Sequence, residues 1–200
     1  MKRSASNLII ILLLVVIIVG VIVYASDKQL APSYAPADGS ASGDASLPAG
    51  AAGLVLSELM VENDGAVRDE DGDYPRWVEL YNSTSAELSL SGYSLSDREN
   101  DATKYPLPAI TLAPGEYRVV FLSGKNRTAA DGNLHTGFKV NGSETLYLFS
   151  GSTIVDSVSG AATSSNISKI KVGSAWEETE LYSPGFENTE AGHEAYLDVW

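Results

Sequence analysis

The sequence predicts an all-β sandwich preceded by one transmembrane helix and a disordered linker. Three observations carry that expectation. An apolar run from Leu8 to Tyr24 stands near the start, residues 26–53 are dominated by Ala, Ser, Gly and Pro, and from Leu54 onward short apolar or alternating runs end in Gly, Pro, Asn, Asp or Ser. Short alternating segments closed by turn formers read as strands, not helices.

No charge falls between Arg3 and Asp27. As a helix rising about 1.5 Å per residue, this stretch is long enough for a hydrocarbon core of about 30 Å. Its Ile and Val content would suggest strand in water, but in lipid every backbone amide must be satisfied within the segment, which forces helix. The expected division is a cytoplasmic N-terminus over 1–7 and a transmembrane helix over 8–25. Lys2 and Arg3 precede the span and Asp27 follows it. The positive-inside rule therefore predicts a single-pass cell-membrane protein with its N-terminus cytoplasmic and its C-terminal domain extracellular. The alternative is a signal peptide cleaved before Ser26. Val23 and Ala25 fit a small-residue cleavage rule, whereas the apolar core exceeds the usual length of about 7 to 15 residues.

Residues 26–53 carry few large apolar side chains. They cannot bury enough surface to offset the entropy of ordering, and so read as a flexible linker. A coil of this length and composition has an r.m.s. reach of about 30 Å.

Strands are predicted near 54–60, 77–82, 88–96, 105–110, 116–122, 144–149, 153–158 and 168–172. Tyr117 to Leu122 (YRVVFL) contains a continuous apolar run, as expected of a strand buried on both faces, and Pro114-Gly115 before it is a turn. Ser150-Gly151-Ser152 separates two apolar runs as a hairpin would. Gly92 interrupts 88–96 and marks a bulge or a sharp bend. No stretch after Gly53 shows a capped 3.6-residue apolar period, so no helix is expected there. About eight short strands in this length indicate a sandwich.

Composition excludes several chemistries. The chain has 200 residues, 26 acidic against 13 basic, a net charge of −13, and no Cys. Disulfides, zinc–thiolate sites and thiol nucleophiles are ruled out. So acidic a balance argues against nucleic acid, whose binding depends on Lys and Arg displacing counterions from phosphates.

Several segments, in order, resemble the bacterial type of lamin tail domain. They are Leu54-Val55-Leu56-Ser57-Glu58-Leu59-Met60, Asp69-Glu70-Asp71-Gly72-Asp73-Tyr74, Trp77-Val78-Glu79-Leu80-Tyr81-Asn82, Leu90-Ser91-Gly92-Tyr93-Ser94-Leu95-Ser96-Asp97, Leu134-His135-Thr136-Gly137-Phe138-Lys139 and Ser183-Pro184-Gly185-Phe186-Glu187-Asn188. The resemblance covers 54–192 and implies an immunoglobulin-like sandwich that serves as an accessory module of exported proteins. The chromatin contacts of the similar domain in lamins are not expected here, because 54–192 holds 21 acidic and 10 basic residues.

Asp69, Asp71 and Asp73 have the alternate spacing with which calcium loops place carboxylates around a hard cation. As an EF-hand the fit is poor, because Gly72 comes fourth and Leu80 twelfth. The structural reading is an acidic turn whose side chains bond nearby amides. If Gly92 is only a bulge, the loop at 61–76 shares one end of the sandwich with the loop at 97–104, which carries Asp97, Glu99 and Asp101. That makes an acidic face for a divalent cation or a basic partner.

Trp77, Glu79 and Tyr81 project from one face of their strand and Val78 and Leu80 from the other. Val78 and Leu80 are expected in the core, and Trp77 and Tyr81 form either an edge cover or an exposed platform for sugars. Glu58 and Glu79 lie on adjacent strands, where paired carboxylates can do acid–base work. His135 is the histidine available to a Ser-His-Asp site, but no G-x-S-x-G elbow surrounds any Ser. After Trp176 come Glu177, Glu178, Glu180, Glu187, Glu190, Glu194 and Asp198 with no basic residue. That pattern predicts a solvated end, with 193–200 as C-terminal tail.

The expected function is a membrane-anchored extracellular binding or tethering module. It is non-catalytic and without cofactor, and it holds a partner protein or surface polymer near the membrane. The alternative is a calcium- or carbohydrate-binding lectin-like module.

Overall fold

The computed structural model describes residues 53–129, 132–161 and 164–199. The expected cytoplasmic segment 1–7, membrane helix 8–25 and linker, up to residue 52, lie outside the described residues. Among those described, no helix is long and apolar enough to cross a membrane.

The elements are β1 (Leu54–Met60), β2 (Trp77–Asn82), β3 (Leu88–Ser89), β4 (Tyr93–Ser96), β5 (Tyr105–Pro106), β6 (Thr111–Leu112), β7 (Tyr117–Phe121), β8 (Leu134–His135), β9 (Thr145–Ser150), β10 (Thr153–Ser159), β11 (Ser168–Val172), β12 (Ala175–Thr179) and α1 (Glu190–Val199). One sheet runs β12-β11-β1-β2-β7-β8, a second runs β10-β9-β4-β5, and β3 pairs with β6. Pairing is antiparallel except between β7 and β8. Leu56, Val78, Leu80, Leu95, Leu112, Val120, Leu146 and Leu148 form the core together with Tyr105. The alternation of β2 thus puts Val78 and Leu80 inside, as expected.

Gly92 bends the chain without reversing its pairing. Leu88↔Leu112 and Ser89↔Thr111 on one side of it, and Ser94↔Pro106 and Leu95↔Tyr105 on the other, keep the same offset. Gly92 has φ +89° and Tyr93 N donates to Leu90 O at 3.1 Å, so a turn requiring positive φ carries the strand from one sheet to the next. The expected single strand 88–96 is therefore two strands, and opposite it the expected strand 105–110 is cut to Tyr105–Pro106, with Thr111–Leu112 a separate strand.

The C-terminal end differs most from expectation. β12 and α1 were not anticipated, and α1 runs through the boundary expected at 192. Thr189 caps it, its Oγ1 accepting from Gly192 N at 3.1 Å. Tyr196 is 2% exposed and packs with Met60, Val67, Trp77, Val119, Phe121 and Phe186 on the outer face of the six-stranded sheet. Residues 193–199 are thus part of the domain and not a solvated tail. Gly192 permits the approach, since a Cβ there would lie 1.9 Å from Glu187 O.

Candidate functional site

The loop 61–76 is built around two side chains that replace regular pairing. Asn63 Oδ1 accepts from Ala66 N and Val67 N, while its Nδ2 donates to Val67 O and Pro75 O. Asp69 Oδ1 accepts from Asp71 N and Asp73 N, both at 3.0 Å, and Gly72 takes φ +83°. Asp69 closes its turn locally, as Asp side chains do.

The other carboxylates of this turn are not bare. Lys125 Nζ lies 2.5 Å from Asp69 Oδ2, 2.6 Å from Asp71 Oδ2 and 2.8 Å from Asp73 Oδ2. One oxygen from each of the three aspartates falls within 4.8 Å of the others, a spacing that suits a metal ion. Lys125 fills the position such a cation would take. Arg127 adds a second cation, 2.5 Å from Glu70 Oε1 and 2.7 Å from Asp71 Oδ2. Hydrogen bonds from Arg127 and Lys125 bring the Asp71 carboxyl down to about 2. Partial burial pushes Glu70 up, but bonds from Asn133, its own amide, His135 and Arg127 outweigh it and lower the group to about 2.

His135 is fully buried, stacked on Phe121 with ring centroids 5.1 Å apart. Its Nε2 lies 3.0 Å from both Glu70 carboxylate oxygens, and its Nδ1 lies 2.9 Å from Ser123 Oγ. Hydroxyl, imidazole and carboxylate are connected in the order that a serine nucleophile would need. Here, however, the hydroxyl also accepts from Lys125 N at 3.1 Å, and the carboxylate is shared with Arg127 and Asn133. The chain of bonds ties the 61–76 loop to both ends of the 123–135 segment. No spacing signal links positions 70, 123 and 135, so this network was not legible before the fold was known.

The loop 97–104 meets the same segment. Tyr105 Oη donates to Arg127 O at 2.8 Å, and Lys104 Nζ stands 4.9 Å from the Phe138 ring centroid. Both acidic loops therefore lie at one end, as expected, but their charges are largely answered. Asp97 pairs with Lys104, and Asp101 Oδ1 accepts from Thr103 N and Oγ1. Glu99 is exposed. Trp77 is wholly buried under the C-terminal segment, which removes it as an exposed platform for sugars. Tyr81 is half-buried against Tyr117, with ring centroids 4.5 Å apart.

Glu58 and Glu79 face each other in register on β1 and β2, and both are fully buried. Ser168 Oγ donates to Glu58 Oε1 at 2.5 Å and Ser183 N to Glu58 Oε2 at 3.1 Å. Gly185 N donates to Glu79 Oε1 at 2.6 Å and Ser57 Oγ to Glu79 Oε2 at 2.7 Å. Asn188 Nδ2 adds a bond to Ser57 O at 2.9 Å. Burial pushes Glu58 up to about 7 against these hydrogen bonds, and Glu79 is likewise raised well above its ordinary range by burial and by the charge of Glu58. The pair has no substrate access. It clamps the Ser183-Pro184-Gly185 segment across the sheet.

A family model described as Lamin Tail Domain matches residues 48–161. No curated protein and no solved structure matches the chain.

Proposed function

The chain belongs to the lamin tail domain family, an immunoglobulin-like family not known as catalytic, and from that premise we propose that it is a membrane-anchored extracellular binding module. It holds a partner protein or surface polymer near the membrane and does no chemistry on it. The uncharged run 8–24 behind Lys2 and Arg3 supports the anchor and its orientation. The observation that carries the binding role is the loop end of the domain. Lys125, Arg127, His135 and Tyr105 pull the loops 61–76, 97–104 and 123–139 into one braced surface. That surface follows Met60, while the linker joins β1 at Leu54, so the strand's length separates the two.

Bracing of this kind keeps the ordering cost of binding low. Confinement within a tether's reach of the membrane raises effective concentration, so weak affinity suffices. Calcium has no role in this reading, because Lys125 serves as the cation of the Asp69–Asp71–Asp73 turn. Nucleic acid is not the partner of so acidic a domain.

The test is surface capture by the full chain with a C-terminal reporter. The reporter is expected to be accessible outside the cell, and cross-linking is expected to recover surface material. A reporter that scores as cytoplasmic overturns the reading.

A further inference from the structure

Residues 183–199 form a strap over the outer face of the six-stranded sheet, and Glu58 and Glu79 lie beneath it. The strands that carry them are interior, β1 between β11 and β2, and β2 between β1 and β7. They cannot move outward without breaking ladders on both sides. The strap has no ladder to the sheet. It is held by Ser183 N on Glu58, Gly185 N on Glu79, Asn188 on Ser57 O and Tyr196 Oη on Ala66 O. Its apolar contacts, through Phe186 and Tyr196 to Met60, Trp77, Val119 and Phe121, form a cluster separate from the core between the sheets. The strap can therefore lift while the sandwich stays closed, as weakly tied segments do.

Two carboxyls paired in register with no exposed surface cannot both ionise beneath the strap without a cation to answer them. Their surroundings supply none. Tyr81 and Tyr117 face them from β2 and β7, Glu187 from the strap and Tyr196 from α1. On β11 the residue opposite Glu58 is Ile170, and beyond it on β12 stands Glu177. Lys169 and Lys171 of β11 turn to the other face, where they bond Ser159 O and Asp156 on β10. Arg68 lies toward Tyr196, and His193 Nδ1 donates to Tyr182 O at 2.6 Å within the strap itself.

We propose that the pair is a pH-operated latch: protonated, it holds the strap closed, and its ionisation lifts residues 183–199 and uncovers the aromatic face around Trp77 and Phe121. Lifting admits water and returns both carboxyls to their ordinary range. The closed form thus carries protons that the open form has lost. Closure is at full strength below about 4.5 and weakens as pH rises through about 7, with Glu79 extending the loss upward.

The experiment is native-state hydrogen exchange of the full chain in detergent micelles from about pH 5 to about pH 8, corrected for the intrinsic exchange rate. Protection of the α1 amides is expected to fall at least about tenfold per pH unit up to about pH 7, one proton or more being released on opening. The β9 amides are expected to stay at least about tenfold better protected at every pH, because the sandwich remains closed. Glu58→Gln/Glu79→Gln keeps an acceptor oxygen for Ser183 N and Gly185 N but cannot ionise, and its α1 protection is expected to be level. Glu58→Gln alone is expected to reduce the slope, which keeps the test available if the double variant does not fold. His193→Gln is expected to leave the slope as in wild type. Exchange of α1 and β9 through one common opening, or α1 protection independent of pH, overturns the proposal. So does a wild-type slope in Glu58→Gln or the double variant, or a slope lost in His193→Gln.

Discussion

Asp69, Asp71 and Asp73 share one lysine at the rim of the domain, whereas Glu58 and Glu79 lie buried on facing strands with no ion pair. Both are close sets of carboxylates, and their surroundings send them in opposite directions. At the rim, cations and amides hold Glu70 and Asp71 ionised, down to about 2. In the sheet, burial outweighs three hydrogen bonds from Ser168 and Ser183 and holds Glu58 up near 7. Charge at the rim is answered by charge, and charge in the sheet is suppressed by protons. The rim can therefore meet a partner, while the buried pair can only clamp.

The largest expected effect comes from breaking the clamp. Glu79→Ala leaves Gly185 N without an acceptor in a buried site, and Ser57 Oγ with only its long 3.4 Å approach to the residue 79 carbonyl. It should cost about 3 kcal/mol in urea unfolding, near the sum of two modest burial penalties. Asp73→Ala, an exposed member of the other set, should cost under about 0.5 kcal/mol. Equal losses would erase the distinction between the two sets. Gly192→Ala should come next, at about 2 kcal/mol, by forcing α1 off the sheet. The lost packing of Tyr196 would appear in near-ultraviolet circular dichroism.

The two sets also predict opposite pH limbs. A carboxyl raised in the folded state binds more protons there than in the unfolded chain, so its contribution is complete below about 4.5 and is lost as pH rises through about 7. Glu79, raised as well, extends that loss upward. Glu70 and Asp71 contribute above their ordinary values, and that share is lost as pH falls toward about 2. Thermal melts should therefore be highest near pH 4 to 5. Glu58→Gln, which can still accept from Ser183 N and donate to Ser168 Oγ, should flatten only the upper limb.

Smaller effects sharpen the rim. Lys125→Ser leaves three aspartate oxygens around an empty position, so calcium should raise the melting temperature of this variant and leave wild type unchanged. Ser123→Ala should cost no more than about 1 kcal/mol, and a fluorophosphonate probe should leave Ser123 unlabelled. Labelling would place a nucleophile beside His135 and contradict a non-catalytic domain.

The sandwich was legible because β1, β2, β7, β9, β10 and β11 each carry their own alternation or apolar run. Leu88–Ser89 and Tyr93–Ser96 read as one strand because a turn at Gly92 leaves the register unchanged. α1 was hidden for a physical reason: it buries only Gly192 and Tyr196, so seven acidic residues set the visible pattern of the end. The acidic loops and their shared end were readable from spacing and direction. Their neutralisation was not, since Lys125 and Arg127 lie more than fifty positions from Asp69 and Glu70. Period-two patterning placed Trp77 correctly on the face opposite Val78, but nothing local says that the C-terminal segment covers that face.

The division between an ionised rim and a protonated clamp is tested most directly by thermal melts of wild type and Glu58→Gln side by side across the neutral range. Wild type should lose stability as pH rises through about 7, and the variant should lose markedly less over the same range. An upper limb that is the same in both proteins would contradict the account.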